Sequence, residues 1–122
     1  VAGCVCCPVI VLDKRRLGGC GVEIGIPEGG AYVGCCPVLI DDIISSAHTM
    51  AVAVRQVRSV FGCAPVCIGV HAVFDSDAMQ VLEDAGAARV VTCSTLPNPN
   101  NGIDVMGEVA LAVRTTVGSA PG

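Results

Sequence analysis

Residues 38–50 read VLIDDIISSAHTM, and this stretch decides the fold. Its apolar start needs burial and predicts a β-strand, with the adjacent carboxylates Asp41 and Asp42 at the carboxyl end of that strand. Hydroxyl side chains follow where a helix is expected to begin: Ser45, Ser46 and Thr49. The first N–H groups of a helix lack partners within the helix, and the helix dipole is positive there, so this position attracts phosphate. The stretch therefore predicts a cradle for a sugar phosphate.

Asp41 and Asp42 allow two interpretations. Adjacent carboxylates can accept hydrogen bonds from neighbouring sugar hydroxyls, and they can hold Mg²⁺ through water because Mg²⁺ prefers oxygen ligands. Alternatively, one carboxylate caps the helix while the other faces solvent. The spacing alone does not separate these alternatives. The position favours ligand binding, because open α/β sheets bind their ligands beyond the carboxyl ends of their strands.

Length and composition predict one domain, residues 1–122, with a largely aliphatic core. Hydrophobic residues make up 52% of the 122-residue chain but include only two phenylalanines and one tyrosine, which suits a sheet covered on both faces. Seven basic side chains against eleven acidic ones give a net charge of −4. A nucleic-acid partner is disfavoured, because binding to a phosphate backbone requires a basic surface.

The uncharged stretches predict neither a membrane span nor a secretion signal. The longest, residues 1–12 and 62–74, are too short to cross a bilayer and are interrupted by proline, glycine or histidine. Residues 1–12 also lack the basic segment that precedes the apolar part of a signal peptide. We expect a cytoplasmic protein without membrane contact. Because the chain begins with Val1 rather than methionine, we expect it to be trimmed or to be part of a longer chain.

Nine cysteines raise the question of a metal site. A zinc site could combine the C-x-x-C pair with two adjacent thiols further along: Cys4, Cys7, Cys35 and Cys36. Neighbouring cysteines cannot easily occupy two corners of a tetrahedron, and no second C-x-x-C follows. Cys67 and Cys93 lie in apolar runs, where a thiol behaves as a small hydrophobic side chain. We therefore expect reduced, mostly buried thiols.

Apolar runs alternate with helical patterns, which predicts an α/β fold with a mostly parallel sheet flanked by helices. About five strands are expected, at residues 8–12, 22–26, 36–40, 66–73 and 89–93. The strand at 66–73 is expected to be central in the sheet. Charges and glycines predict a mobile segment at residues 13–21, and residues 27–30 and 97–102 predict turns.

The first of three expected helices covers residues 47–61. Apolar side chains share one of its faces: Met50, Val54, Val57 and Phe61. Gly62 ends the helix, because glycine adopts a positive φ without steric cost. Arg55 and Arg58 lie off the apolar face and are expected in solvent.

The second expected helix is capped by Asp75 or Ser76 and ends at Gly86. Its inward positions have helical spacing: Ala78, Val81, Leu82 and Ala85. Residues 103–105 lead into the third helix, which has an apolar series of its own: Val109, Ala112, Val113 and Val117.

Residues 39–50 resemble the phosphoribosyl-binding motif of the phosphoribosyltransferase fold, and in particular that of the ribose-phosphate pyrophosphokinases. Further segments match that family in the same order. Residues 11–16 resemble its catalytic-loop strand with Lys-x-Arg, residues 70–78 its His-Gly-Val-Phe strand and helix, and residues 91–97 its Thr-Asn-Thr-Ile-Pro segment. The similarity covers nearly the whole chain and implies a phosphoribosyltransferase-type fold.

The resemblance implies transfer of the diphosphoryl group of ATP to the C1 hydroxyl of ribose 5-phosphate, with Mg²⁺, to give phosphoribosyl diphosphate and AMP. Asp41 and Asp42 would hold the ribose hydroxyls and, indirectly, the metal. Lys14 and Arg16 would close over the reacting phosphates, where positive charge stabilises the transferred group. Five residues would surround the 5-phosphate: Ser45, Ser46, Ala47, His48 and Thr49.

The chain also departs from the family. Relatives are longer and have two similar halves, and this chain resembles the later part of the second half. We therefore expect it to lack the first half, which supplies much of the ATP site, and the diphosphate loop that precedes this segment in relatives. His48 stands where relatives often have glycine or arginine, so its imidazole would either crowd the phosphate or, when protonated, pair with it. We expect the isolated chain to bind ribose 5-phosphate with little turnover, and to use ATP only when the missing half is supplied.

Two other functions stay open. A non-catalytic interaction module with this fold would associate with a longer relative, and the missing half favours it, whereas the retained Lys14, Arg16 and the acid pair favour the enzyme. A phosphoribosyltransferase would need a segment that covers the base, and none is evident. As protein partners we expect a second copy of the chain or a longer relative.

His71 lies inside an apolar run. A histidine in that setting is expected to be a core side chain with a hydrogen-bond partner. Because the imidazole of histidine titrates near neutral pH, a functional role stays open as the alternative.

Overall fold

The computed structural model describes residues 7–17, 21–25, 32 and 34–118, with the backbone alone for 13–17 and 21–25. The elements in chain order are β1 (Asp13–Leu17), β2 (Gly21–Gly25), β3 (Val38–Ile44), α1 (His48–Phe61), β4 (Val66–Ala72), α2 (Ala78–Ala85), β5 (Arg89–Cys93), β6 (Asn101–Ile103) and α3 (Met106–Val117).

Strands β3 to β6 form a parallel sheet in the order β3-β4-β5-β6. Leu39 lies opposite Cys67 in the first pair, and Ile68 lies opposite Val91 in the second. Parallel neighbours require crossover connections, which α1 supplies between β3 and β4 and α2 supplies between β4 and β5. The predicted α/β class with a parallel sheet and helices is confirmed, and the architecture is consistent with a phosphoribosyltransferase-type fold. Strands β1 and β2 form a separate antiparallel pair.

The core lies between the sheet and the first two helices. The apolar face of α1 places Met50, Val54 and Val57 against the sheet, where they are buried as predicted, while Phe61 is half-buried. Leu82 from α2 is fully buried in the same cluster. Burial of a leucine or valine side chain contributes about 1.5–3 kcal/mol each, so this cluster fixes the position of α1.

Both predicted glycine stops are confirmed. Gly62 ends α1 at a φ of 71° and donates its N–H to the carbonyl of Arg58. Gly86 ends α2 at a φ of 91°, and a Cβ at that position would collide with the Arg58 guanidinium. Arg55 and Arg58 are exposed, as expected, and Arg58 also donates a hydrogen bond of 3.4 Å to the carbonyl of Ala85.

The expected strand at residues 8–12 is wrong. These residues form no strand, β1 begins at Asp13, and Val9 and Val11 are 64% and 79% exposed. An apolar run becomes a strand only where a neighbour supplies hydrogen bonds, and β3 pairs with β4 alone among the described strands. Residues 13–17, which were expected to be mobile, form the strand β1 instead. Residues 18–20 and the turn expected at 27–30 lie outside the described residues.

The expectation of a buried strand at residues 36–40 is also wrong. Strand β3 starts at Val38 and continues through the acid pair to Ile44, and only Leu39 and Ile44 are buried in it. The reason is that β3 is covered on one face only: α1 packs against that face, while the side chains of Val38 and Ile40 remain about half exposed. For the described part of the chain, the expected cover on both faces is not found.

Four smaller expectations also change. The N-cap of α2 is Asp77 rather than Asp75 or Ser76, and the predicted loop at 97–102 contains the start of β6 at Asn101. The third helix forms where predicted, but none of its residues is buried. Among the six described cysteines only Cys67 and Cys93 are buried, so the expectation of mostly buried thiols is wrong for these six.

None of the described helices is long and apolar enough to cross a membrane.

Candidate functional site

The candidate site lies where β3 passes into α1. Helix α1 begins at His48 with Ala47 as its N-cap, and no side chain caps it. Its first turn contains no acidic residue. The positive end of the helix dipole is therefore not balanced by a capping side chain or a first-turn carboxylate, which leaves this helix start suited to an external anion.

Ala47 has an unusual backbone conformation. Its φ of 61° and ψ of 0° place it in the left-handed region, and it is the one residue other than glycine with a positive φ among those described. For an alanine this conformation costs about 1–2 kcal/mol, and such strain concentrates at functional sites. Its burial, at 5% exposed, holds it in place. The only sequence signal for this feature is a small residue between the serines and the helix.

A cavity of about 290 Å³ opens at this helix start, close to the lower end of the usual range for small-molecule sites. It is lined by Asp41, Ile43, Ile44, Ser45, Ser46, Ala47, Thr49 and Met50. Five predicted site residues are thus brought together: Asp41, Ser45, Ser46, Ala47 and Thr49. The other two residues predicted to bind ribose 5-phosphate, Asp42 and His48, are exposed and lie outside the lining.

The two carboxylates are held by the backbone that follows them. The N–H of Asp42 donates to Oδ1 of Asp41 at 3.0 Å, and the N–H of Ile43 donates to Oδ1 of Asp42 at 2.9 Å. Neither carboxylate caps α1, so the capping interpretation of the pair is wrong. These local bonds orient both carboxylates, of which Asp41 lines the cavity and Asp42 does not.

Ile44 anchors the strand directly after the acids. Its side chain is 2% exposed and fills the space over Gly69, where a Cβ would lie 2.8 Å from its Cδ1 atom. Gly69 is the residue opposite Asp41 in the β3–β4 pair. The absence of a side chain at Gly69 therefore allows the close packing that positions the acid pair.

The loops that follow β3 and β4 touch each other. The N–H of Asp75 donates to the carbonyl of Ser45 at 3.2 Å. His71, near the end of β4, lies opposite Ile43. Its Nδ1 lies 3.0 Å from Oγ1 of Thr95, and that hydroxyl donates to the carbonyl of Val70 at 2.7 Å. The expectation of a core histidine is wrong because the ring is exposed, although a hydrogen-bond partner exists as expected.

Lys14 and Arg16 lie in β1, opposite Ile24 and Val22 of β2. Strand β2 runs beside α1, so the β1–β2 pair neighbours the helix that forms the cavity. The side chains of both cations lie outside the described residues. Their catalytic role stays a prediction.

The cysteines do not form a metal centre in the described part of the chain, where no group of three or more metal-ligating side chains occurs. Cys4 of the considered zinc set lies outside that part. Burial raises the pKa of the Cys67 thiol to about 11, so this cysteine is a protonated core side chain at neutral pH.

The chain is similar to curated ribose-phosphate pyrophosphokinases. That of Methanopyrus kandleri is 33% identical over 107 residues, which cover 88% of this chain and 36% of the relative. Those of Gloeobacter violaceus and Wolinella succinogenes are each 32% identical and cover 75% and 73% of this chain. The chain spans between 27% and 36% of the length of these relatives. No protein-family profile matches it.

Proposed function

The chain is a ribose-phosphate pyrophosphokinase-like sequence over most of its length, as its motifs predict, and on that premise we propose that its cavity binds ribose 5-phosphate. The observation that carries the proposal is the uncapped start of α1, which opens into a cavity lined by Ser45, Ser46 and Thr49. Backbone N–H groups and hydroxyls at a helix start are donors suited to a phosphate. A carboxylate at the other side of the cavity suits the hydroxyls of the sugar.

Asp41 is the residue proposed to accept hydrogen bonds from the ribose hydroxyls. It lines the cavity, and its orientation is set by the N–H of Asp42. Asp42 is exposed next to it and completes the pair. His48 is exposed and does not line the cavity, which supports the interpretation that its imidazole does not crowd the phosphate.

The reaction we propose for the assembled enzyme is transfer of diphosphate from ATP to ribose 5-phosphate, which gives phosphoribosyl diphosphate and AMP. Lys14 and Arg16 would bring positive charge to the reacting phosphates, where charge develops during transfer. Since the chain spans about a third of its relatives, ATP binding would depend on a further segment or a partner. The isolated chain would then bind the sugar phosphate with little turnover.

Mg²⁺ is the proposed metal. Asp41 offers a carboxylate in the cavity lining and Asp42 an exposed one next to it in the chain, and Mg²⁺ typically uses one or two carboxylates together with water and substrate phosphates. The donor set therefore fits the ion. When bound, Mg²⁺ would neutralise phosphate charge at the site.

A second candidate function is a non-catalytic interaction module. The exposed apolar side chains on β3 and α3 favour it, with Val38 at 51% and Leu111 at 56% exposed. Such a module would associate with a second copy of the chain or with a longer relative.

Calorimetric titration with ribose 5-phosphate, with and without Mg²⁺, separates these functions. We expect the wild-type chain to bind and Asp41→Asn to bind at least about tenfold more weakly, which corresponds to about 1.4 kcal/mol. Asp84→Asn is the matched control, because its carboxylate lies on α2 and accepts a hydrogen bond from Gln80. Absence of binding by the wild-type chain would reject the ribose 5-phosphate site and leave the interaction module.

A further inference from the structure

The hydrogen bonds around Thr95 determine where the proton of the His71 ring lies. Oγ1 of Thr95 is 2.7 Å from the carbonyl of Val70 and 3.0 Å from Nδ1 of His71. A carbonyl can only accept, and a threonine hydroxyl has one proton to donate. That proton therefore goes to Val70, so the hydroxyl accepts from His71. Nδ1 must carry a proton, which leaves the lone pair of the neutral ring on Nε2.

The position of this ring links it to the candidate site. His71 lies opposite Ile43, which directly follows the acid pair and lines the cavity. The carboxyl ends of β3 and β4 thus contribute the acids and the imidazole to the same edge of the sheet, and Thr95 follows β5 at that edge. The ring is exposed there but does not line the cavity itself, so its Nε2 would meet the part of a bound molecule that extends beyond the cavity over the end of β4.

We propose that Nε2 of His71 accepts a hydrogen bond from a hydroxyl of the sugar phosphate, an inference that rests on the proposed function. The acids and Nε2 are all acceptors, a combination that suits the several hydroxyl donors of a sugar. The donors at the start of α1 suit the phosphate. His71 thereby selects a hydroxylated sugar phosphate over phosphate alone, while Thr95 is a positioning residue that acts through the ring.

Two substitutions at His71 separate its two nitrogen atoms. In His71→Asn, the side-chain amide N–H replaces the Nδ1–H donor to Thr95 but nothing replaces Nε2. In His71→Gln, the longer side chain brings an amide oxygen to the region of Nε2 as an acceptor. A purely structural role predicts that Asn is the better replacement, whereas a ligand contact predicts that Gln is. Because the ring is exposed, both variants are expected to fold, and a thermal unfolding scan checks this.

Thr95 provides an independent spectroscopic test. Two-bond ¹H–¹⁵N spectra of the imidazole should show the Nδ1-protonated tautomer in the wild-type chain and in Thr95→Ser, which keeps the hydroxyl. Thr95→Val should lose that preference. A wild-type ring protonated on Nε2 in its neutral form would overturn the inference.

The deciding measurement is calorimetric titration of each His71 variant with ribose 5-phosphate and, separately, with inorganic phosphate. We expect His71→Asn to weaken ribose 5-phosphate binding about tenfold, His71→Gln to weaken it less, and both to leave phosphate binding unchanged. Equal affinity of wild type and His71→Asn for ribose 5-phosphate, or equal losses for both ligands, would overturn the role of Nε2 and leave the proposed function intact. Failure of the wild-type chain to bind ribose 5-phosphate would instead reject the proposed function, and the role of His71 with it.

Discussion

The helices α1 and α3 begin in opposite ways. At α3, the carboxylate of Asp104 accepts a hydrogen bond of 2.9 Å from the N–H of Met106, and Glu108 adds a second carboxylate in the first turn. At α1, Ala47 offers no side-chain cap and the first turn has no acidic residue. A helix start with its own carboxylates is already stabilised, whereas one without them gains from a bound anion. This difference makes the start of α1, rather than that of α3, the candidate phosphate site.

The same two helices differ in packing. Five residues of α1 are buried in the core, whereas α3 buries none of its 12 residues. A helix start fixed by a packed core holds its N–H groups in a constant position, which lowers the cost of ordering the site when a ligand binds. Substitutions in the two helices test this contrast between an anchored and an unanchored helix.

The largest effect is expected from a matched pair of valine substitutions. Val54 on α1 is fully buried and Val113 on α3 is 54% exposed. Val54→Ala removes buried methyl groups and leaves a cavity, so it should lower the free energy of unfolding by about 2 kcal/mol. Val113→Ala should change it by less than about 0.5 kcal/mol. Urea unfolding of both variants checks the prediction, and a comparable loss for the two would contradict the assignment of α3 as unanchored.

Gly69→Ala should disturb the acid pair through Ile44. The new Cβ would lie 2.8 Å from Cδ1 of Ile44, a buried side chain with little room to move. We expect a loss of about 1–2 kcal/mol in the free energy of unfolding from overpacking, together with weaker ribose 5-phosphate binding. Gly107→Ala on α3 is the control, because nothing lies within 4 Å of its Cβ position and alanine favours a helix. Identical effects of the two substitutions would rule out the proposed packing role of Gly69.

Ala47→Gly should stabilise the chain by about 1 kcal/mol, because glycine adopts the left-handed conformation without the cost that alanine incurs. Ala112→Gly, in the middle of α3, should instead destabilise it by about 0.5–1 kcal/mol. Thermal unfolding of both variants provides the comparison. If Ala47→Gly lowered the melting temperature, the strain assigned to Ala47 would be absent.

The smallest effect concerns the start of α3. Hydrogen bonds from the N–H of Met106 and the hydroxyl of Ser94 lower the pKa of Asp104. A carboxylate whose pKa is lower in the folded state adds stability above its unfolded value, about 3.9, and that contribution disappears as the pH falls through the folded pKa. Asp104→Asn should therefore be less stable than wild type at pH 7, with the difference shrinking below about pH 4. Unfolding curves at both pH values test this, and a difference independent of pH would contradict it.

The sequence predicts the anchored region well because its signals are local. The spacing of Met50, Val54 and Val57 identifies the buried face of α1, and Gly62 and Gly86 mark helix ends through a conformation that glycine adopts easily. Strand β5 has the expected bounds, Arg89–Cys93. In these segments a residue type and its periodic position are sufficient.

The remaining features depend on distant partners. Residues 8–12 have the composition of a strand but no described strand pairs with them, and the exposure of α3 depends on what packs against it rather than on its own apolar series. The contact of His71 with Thr95 joins residues 24 positions apart. The left-handed conformation of Ala47 is not indicated by its residue type, because alanine does not favour a positive φ. Of the candidate site, the stretch that lines the cavity was predictable from the sequence, whereas the contact of the histidine and the strained alanine required the fold.

Amide chemical shifts during titration with ribose 5-phosphate test the central claim most directly. In ¹H–¹⁵N spectra of the wild-type chain, we predict saturable shifts of the amides of residues 46–49 at the start of α1, with those of Met106 and Gly107 at the start of α3 unchanged. Inorganic phosphate should shift the same α1 amides at higher concentration, because it offers the anion without the sugar. Unchanged amides at residues 46–49, or equal shifts at both helix starts, would contradict the assignment of α1 as the phosphate-binding helix.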